Sequence, residues 1–210
     1  LYRYGMDTAM MKYSVQKQGP ERKKYITLII VTQFITSFLF TFIIYFTRLS
    51  TAEYVLGTYR PDWISYLAVI LFFDALWNLP LLILRSEEKA IPYIFLSLLN
   101  VILTMALNIM FVVYWEQGIE GVFRANIIAS AFIFLVSLPI VIKRVVFDFF
   151  EKDIFLKVMQ FALPFLPAGV FTMVMELSDR YLLEFYLTTA EVGLYSAGKK
   201  MGMLGLTIVM

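Results

Sequence analysis

The stretch Tyr25–Thr47, YITLIIVTQFITSFLFTFIIYFT, carries no charged residue from end to end. A helix needs about 20 apolar residues to cross the hydrocarbon core of a bilayer, so this run is long enough for one crossing. Further apolar segments follow at Trp63–Leu84, Ile91–Trp115, Val122–Ile142 and Val158–Tyr186, and a last one starts near Val192. Hydrophobic residues are 60% of the 210 and charged residues 16%, a balance that no ordinary soluble domain shows. The fold class is therefore all-α integral membrane, a multi-span helical bundle. Tyr25, Trp63 and Trp115 mark span edges, where amphipathic rings favour the headgroup zone. Short connections carry the turn formers Gly19-Pro20, Gly57 with Arg60-Pro61-Asp62, and Gly118 with Gly121.

The charges that remain concern topology. Net charge is only +2, and the basic residues cluster beside apolar segments instead of forming an exposed basic face, which argues against a nucleic-acid partner. Alternate loops collect Lys12, Lys17, Arg22, Lys23, Lys24, Arg85, Lys89, Lys143, Arg144, Lys152 and Lys157 on one side, against Arg48, Arg60, Arg124 and Arg180 on the other. The richer side is expected to face the cytoplasm by the positive-inside rule. The chain has no Cys and no His, so disulfides are excluded and the usual zinc and haem ligand sets are missing. No catalytic residue, metal or cofactor is expected.

The loop KRVVFDFFEKDIFLK, Lys143–Lys157, is longer than the others, mixed in charge and studded with Phe147, Phe149, Phe150 and Phe155. It reads either as an amphipathic helix on the inner surface or as a solvated loop with apolar anchors. Residue 1 is Leu, and the sequence closes on MGMLGLTIVM within an apolar run, the pattern of an internal piece of a longer protein.

A helix facing only lipid would have no reason to keep polar residues at helical spacing. Here Gln33, Ser37 and Thr41 recur at i, i+4 and i+8; Ser97, Asn100, Thr104 and Asn108 form a longer stripe; Asn126, Ser130 and Ser137 share a face. The bland explanation is hydrogen bonding between packed helices, on the order of 1 kcal/mol each. Ionisable residues demand more, because a charge at the membrane centre costs at least about 2.5 kcal/mol. Asp74 lies midway along its segment, with Asn78 at i+4 and Arg85 at i+11, and is expected to face a partner or a wet cavity. Arg3 and Asp7 stand at i and i+4 and can pair. Glu176, Asp179 and Arg180 interrupt the segment Val158–Tyr186, which would span roughly 45 Å as one helix, bent at Pro164 and Pro167. Lys199 and Lys200 fall inside the last apolar segment, beside Gly198 and Gly202. Together Arg3, Arg180, Lys199 and Lys200, with Asp7, Asp74, Glu176 and Asp179 as counterions or ion-coupling groups and Asn78, Asn100 and Asn108 as polar lining, suit a cationic chamber for an anionic, phosphate-bearing substrate.

SDRYLLEFYLTTAEVGLYSAGKK, Ser178–Lys200, resembles the signature region of the polysaccharide and O-antigen flippases of the multidrug/oligosaccharidyl-lipid/polysaccharide exporter superfamily. RYGMDTAMMKYS, Arg3–Ser14, looks like the end of that family's second helix, and GIEGVFRANIIAS, Gly118–Ser130, like the turn into its sixth. The resemblance covers essentially the whole chain and implies part of a two-lobe inverted-V exporter fold, helix 2 through helix 8 of about 12 to 14. It places an N-terminal lobe at 1–142, a cytoplasmic linker at 143–157 and the start of the C-terminal lobe at 158–210. It also implies a flippase that moves a polyprenyl-pyrophosphate-linked oligosaccharide across the bacterial cytoplasmic (inner) membrane by alternating access, for surface polysaccharide assembly such as O-antigen or capsule. The expected partners are the lipid-linked oligosaccharide, membrane lipids, and a proton or sodium as coupling ion. The nearest rival is an ion-coupled multidrug or small-molecule exporter of the same superfamily, which predicts an acidic, aromatic cavity. A membrane glycosyltransferase would need a metal-binding acidic motif or a catalytic His, and neither occurs. A purely structural scaffold explains the polar stripes and leaves the buried charges unexplained.

Overall fold

The computed structural model describes residues 4–56, 60–146, 150–186, 188 and 191–199, and among them every regular element is helical. Gly5, in the left-handed region at φ 82°, turns the chain into α1 (Met6–Gln16), whose buried Met6, Ala9, Met10 and Tyr13 follow one helical face. α2 (Gly19–Leu56) begins with Pro20 in its first turn, where a missing N–H costs nothing, and runs for 38 residues. At 1.5 Å per residue it is about 57 Å long, so its basic first turns reach beyond the hydrocarbon. α3 (Pro61–Ser86) starts on Pro61. α4 (Ala90–Asn108) continues as a π-helical turn over Ile109–Tyr114, and α5 (Gly118–Ile142) follows. α6 (Lys152–Ala162), α7 (Phe165–Tyr186) and a helical stretch over 191–199 complete the described chain.

Among the described residues, five apolar stretches are long enough to cross a membrane: Gly19–Glu53, Pro61–Ser86, Ala90–Tyr114, Gly118–Ile142 and Lys152–Met175. The chain is a multi-span helical membrane protein. Its large side chains point outward along whole helices, as Ile91, Phe95, Val101, Ile102 and Met105 do on α4, which suits a solvent of lipid tails.

Two compact units divide the chain, Tyr2–Pro164 and Phe165–Met210. In the first, α3 is central and touches α1, α2, α4 and α5. Small residues allow its closest approaches: Ala68 and Ala75 on α3, and Gly121, Ala125 and Ala129 at i, i+4 and i+8 on α5, are all buried. Gly121 lies against the π turn so tightly that a Cβ there would meet the Phe111 carbonyl at 3.1 Å. The buried stripe on α2 serves packing: Gln33 donates to Ser37 at 2.9 Å, and Thr41 donates to the Ala68 carbonyl of α3 at 3.5 Å.

The single bent helix expected over Val158–Tyr186 is corrected by a break. α6 ends at Ala162, Leu163 and Pro164 form a turn, and α7 starts at Phe165. Pro164 offers no N–H to continue the ladder and its ring crowds the carbonyl four residues earlier, whereas Pro167 sits harmlessly in the first turn of α7. Of the two readings of Lys143–Lys157, the helical one holds from Lys152 onward, while Phe147 and Phe149 lie outside the described residues. Ile154, Val158 and Ala162 bury one face of α6 against α1 and α2. Tyr13 stacks on Tyr25 at 4.7 Å and meets Phe161 edge-on at 6.0 Å, its hydroxyl donating to the Lys157 carbonyl at 3.2 Å. Lys24 pairs with Glu151, and the Val146 N–H donates to Thr27 Oγ1 at 3.0 Å. In the second unit, α7 exposes Phe171, Met173, Val174 and Met175.

Candidate functional site

Inside the first unit, α3, α4 and α5 enclose an open groove of about 370 Å³ lined by Asp74 and Trp77 of α3, Asn100 and Thr104 of α4, and Asn126 and Ser130 of α5, with Val101 and Met105 beside them. Each helix contributes through its own stripe: Asn100 and Thr104 are one turn apart, as are Asn126 and Ser130, so two helices bring paired polar side chains to the groove that Asp74 of α3 lines. Asp74 Oδ1 accepts from Ser130 Oγ at 2.6 Å and from Trp77 Nε1 at 3.0 Å. Among the described residues, no Lys or Arg lines the groove.

Other expected site residues lie elsewhere. Asn78 turns away and donates to Asp7 Oδ2 at 3.3 Å, tying α3 to α1. Arg85 lies at the end of α3 beside Glu88, Lys89 and Tyr93, around a separate cavity of about 570 Å³. Asn108 donates to the Thr104 carbonyl at 2.8 Å, inserting an amide into the ladder just where the helix widens into its π turn. Glu176, Asp179 and Arg180 occur on α7, and Lys199 in the helical stretch 191–199, whereas Arg3 and Lys200 lie outside the described residues. Thr104, Asn126 and Ser130 were visible as stripes without being assigned to a site, and Trp77 had no signal beyond its i+3 spacing from Asp74.

The bundle has a charged lock at each end. At one, Glu120 pairs with Arg60 at 3.8 Å and Arg124 at 3.7 Å. At the other, Arg144 at the end of α5 donates through Nε to Glu87 Oε1 at 2.6 Å and through Nη2 to Oε2. Lys89 approaches Glu87 Oε2 at 2.9 Å, and Arg22 of α2 reaches Oε1 at 3.6 Å. Hydrogen bonds from Arg144, against an opposing effect of burial and with help from Lys89, hold the Glu87 carboxyl down at about 2. The segment RSEEK reads as an ordinary solvated turn, so Glu87 had no sequence signal as the tie between three helix ends.

A family model described as polysaccharide biosynthesis protein matches residues 1–210. The chain belongs to this family. Comparison with curated proteins and with solved structures finds no significant match. For a polysaccharide biosynthesis protein built of membrane-spanning helices, a polar groove set among apolar spans is the described feature best suited to meet a hydrophilic ligand or ion within the bilayer.

Proposed function

We propose that this polysaccharide biosynthesis protein is a transporter rather than an enzyme, a flippase that carries a polyprenyl-pyrophosphate-linked oligosaccharide across the bacterial cytoplasmic membrane for surface polysaccharide assembly. The observation that carries the reading is the groove at Asp74, Asn100, Asn126 and Ser130, joined to the family match. Sugar hydroxyls that leave water without new partners cost several kcal/mol each, so a carrier of glycans needs amides and hydroxyls at membrane depth. In this reading residues 1–142 and 158–210 belong to two lobes joined by a linker at 143–157, and the lobes rock about a central cavity. Arg3, Arg180, Lys199 and Lys200 hold the pyrophosphate, Asp7, Glu176 and Asp179 balance them, Asn78 and Asn108 add polar lining, and the polyprenyl tail stays in lipid. The more basic loops face the cytoplasm.

The test expresses the full-length gene in bacteria that lack their own polysaccharide flippase but hold the matching sugar pathway. Restored surface polymer that vanishes with Arg180→Gln is the expected result. Stable insertion without polymer, across several glycan pathways, refutes flipping. A second reading, an ion-coupled multidrug exporter, is favoured by the groove itself, which combines a carboxylate with Trp77 and Met105 and has no basic lining residue among the described residues. Resistance to cationic drugs without polymer would select it.

A further inference from the structure

The cavity at the α3–α4 turn, about 570 Å³, has the size of a small-ligand site and is lined by Arg85, Glu88, Lys89, Ala90 and Tyr93. The apolar span Pro61–Ser86 ends beside it and the span Ala90–Tyr114 begins there, so it lies at the level of the lipid headgroups, outside the hydrocarbon. Its lining combines two cations with one acid. Lys89 reaches Glu87 Oε2 at 2.9 Å and keeps N–H donors to spare. Among the described residues, the Arg85 guanidinium and the Tyr93 hydroxyl have no partner within the chain. The nearest other acid cannot balance Arg85, because Glu87 is already shared by Arg22, Lys89 and Arg144. A planar guanidinium with free donors, an ammonium and a phenol together suit a phosphate.

The surroundings decide what carries that phosphate. The Tyr93 ring packs against the buried cluster of Leu81, Leu84 and Leu96, which fixes one wall of the cavity. Ile94 and Leu98 follow Ala90 at i+4 and i+8 and are both exposed, so an apolar stripe runs from the cavity along α4 into the hydrocarbon. A soluble anion has no use for such a stripe, whereas an acyl chain does. We infer that this cavity binds an anionic phospholipid of the surrounding bilayer, its phosphate held by Arg85 and Lys89 with the Tyr93 hydroxyl, and an acyl chain lying along Ile94 and Leu98. A zwitterionic lipid would bring an ammonium to a lining that is already net positive, with Glu88 as its single acid, so the anionic class is preferred. The site does not depend on the transport reading above.

The test counts lipids bound to the purified full chain in detergent by native mass spectrometry, over a titration with phosphatidylglycerol or phosphatidylethanolamine. The expected result is a first phosphatidylglycerol bound about tenfold more tightly than phosphatidylethanolamine, and weakened about fivefold by Arg85→Gln, the usual share of one basic residue at an anionic surface. Arg85 takes no part in the ion cluster at Glu87, and circular dichroism checks that the variant folds. Tyr93→Phe, which keeps the packed ring, should weaken binding as well and decides alone if Arg85→Gln does not fold. The control Lys152→Gln with Lys157→Gln removes charge from α6 and should change nothing. Equal affinity for the two lipids, or an unmoved Arg85→Gln, overturns the proposal. An equal loss in the α6 control also overturns it, in favour of diffuse surface charge. Displacement by inorganic phosphate at the same concentration would assign the cavity to a soluble anion, and tighter Arg85-dependent binding of farnesyl pyrophosphate would assign it to a polyprenyl substrate; either result overturns it too.

Discussion

Replacing Glu87 with Gln removes the one carboxylate that joins the start of α2, the α3–α4 turn and the end of α5, and leaves Arg22, Lys89 and Arg144 facing one another. The carboxyl is held at about 2 against an ordinary 4.5. At about 1.4 kcal/mol per pH unit the difference corresponds to roughly 3 kcal/mol. The side chain is 13% exposed but sits at the wet end of the bundle, where screening reduces this to about 2 kcal/mol. Because the folded-state value is depressed, the contribution is complete above about 4.5 and is lost as pH falls through about 2. At neutral pH, Glu87→Gln should therefore lower the thermal midpoint of the detergent-purified protein by about 4–8 °C. Arg144→Gln should cost a similar amount, and the double variant little more than either alone, since both remove the same bidentate pair. Strictly additive losses, or a Glu87→Gln midpoint within 1 °C of the parent, would refute the idea that this ion cluster clamps the helix ends.

Two other perturbations test the packing. Tyr13→Ala, which removes the ring between Tyr25 and Phe161, should cost about 3 kcal/mol and speed amide exchange in α6, whereas Tyr13→Phe should lose only about 1 kcal/mol with its hydrogen bond to Lys157; equal effects of the two would show that the ring does not hold α6. Gly121→Ala would ordinarily gain up to about 1 kcal/mol in a helix. Here the new Cβ lies 3.1 Å from the Phe111 backbone, so the thermal midpoint should fall, by about 1–2 kcal/mol of stability, and a rise would refute the close approach of α5 to the π turn.

The spans were legible because uncharged length is a one-dimensional property, and Tyr25–Thr47 displays it without any neighbour. Pro164 was legible as a disturbance, yet whether proline bends or breaks a helix depends on what surrounds the freed carbonyls. The π turn after Asn108 depends on hydrogen-bond register and leaves no mark in composition. The groove was half legible. Asn100 with Thr104, and Asn126 with Ser130, stood out as stripes, but only the rotation of α4 and α5 about α3 decides that both pairs line one groove with Asp74 while Asn78, one turn along, meets Asp7 instead.

Asp74 and Glu87 show why spacing along the chain cannot assign a role to an acid. Both lie on or just beyond α3, in a chain with abundant Lys and Arg. Glu87 receives cations from three helix ends, which keeps it ionised and makes it a structural tie. Asp74 receives two neutral donors, from Trp77 and Ser130, on one oxygen and lines an open polar groove with the amides of Asn100 and Asn126. The difference is set by which helix ends and which helix faces meet, and it separates an acid that ties the helix ends together from one that lines a polar groove among apolar spans.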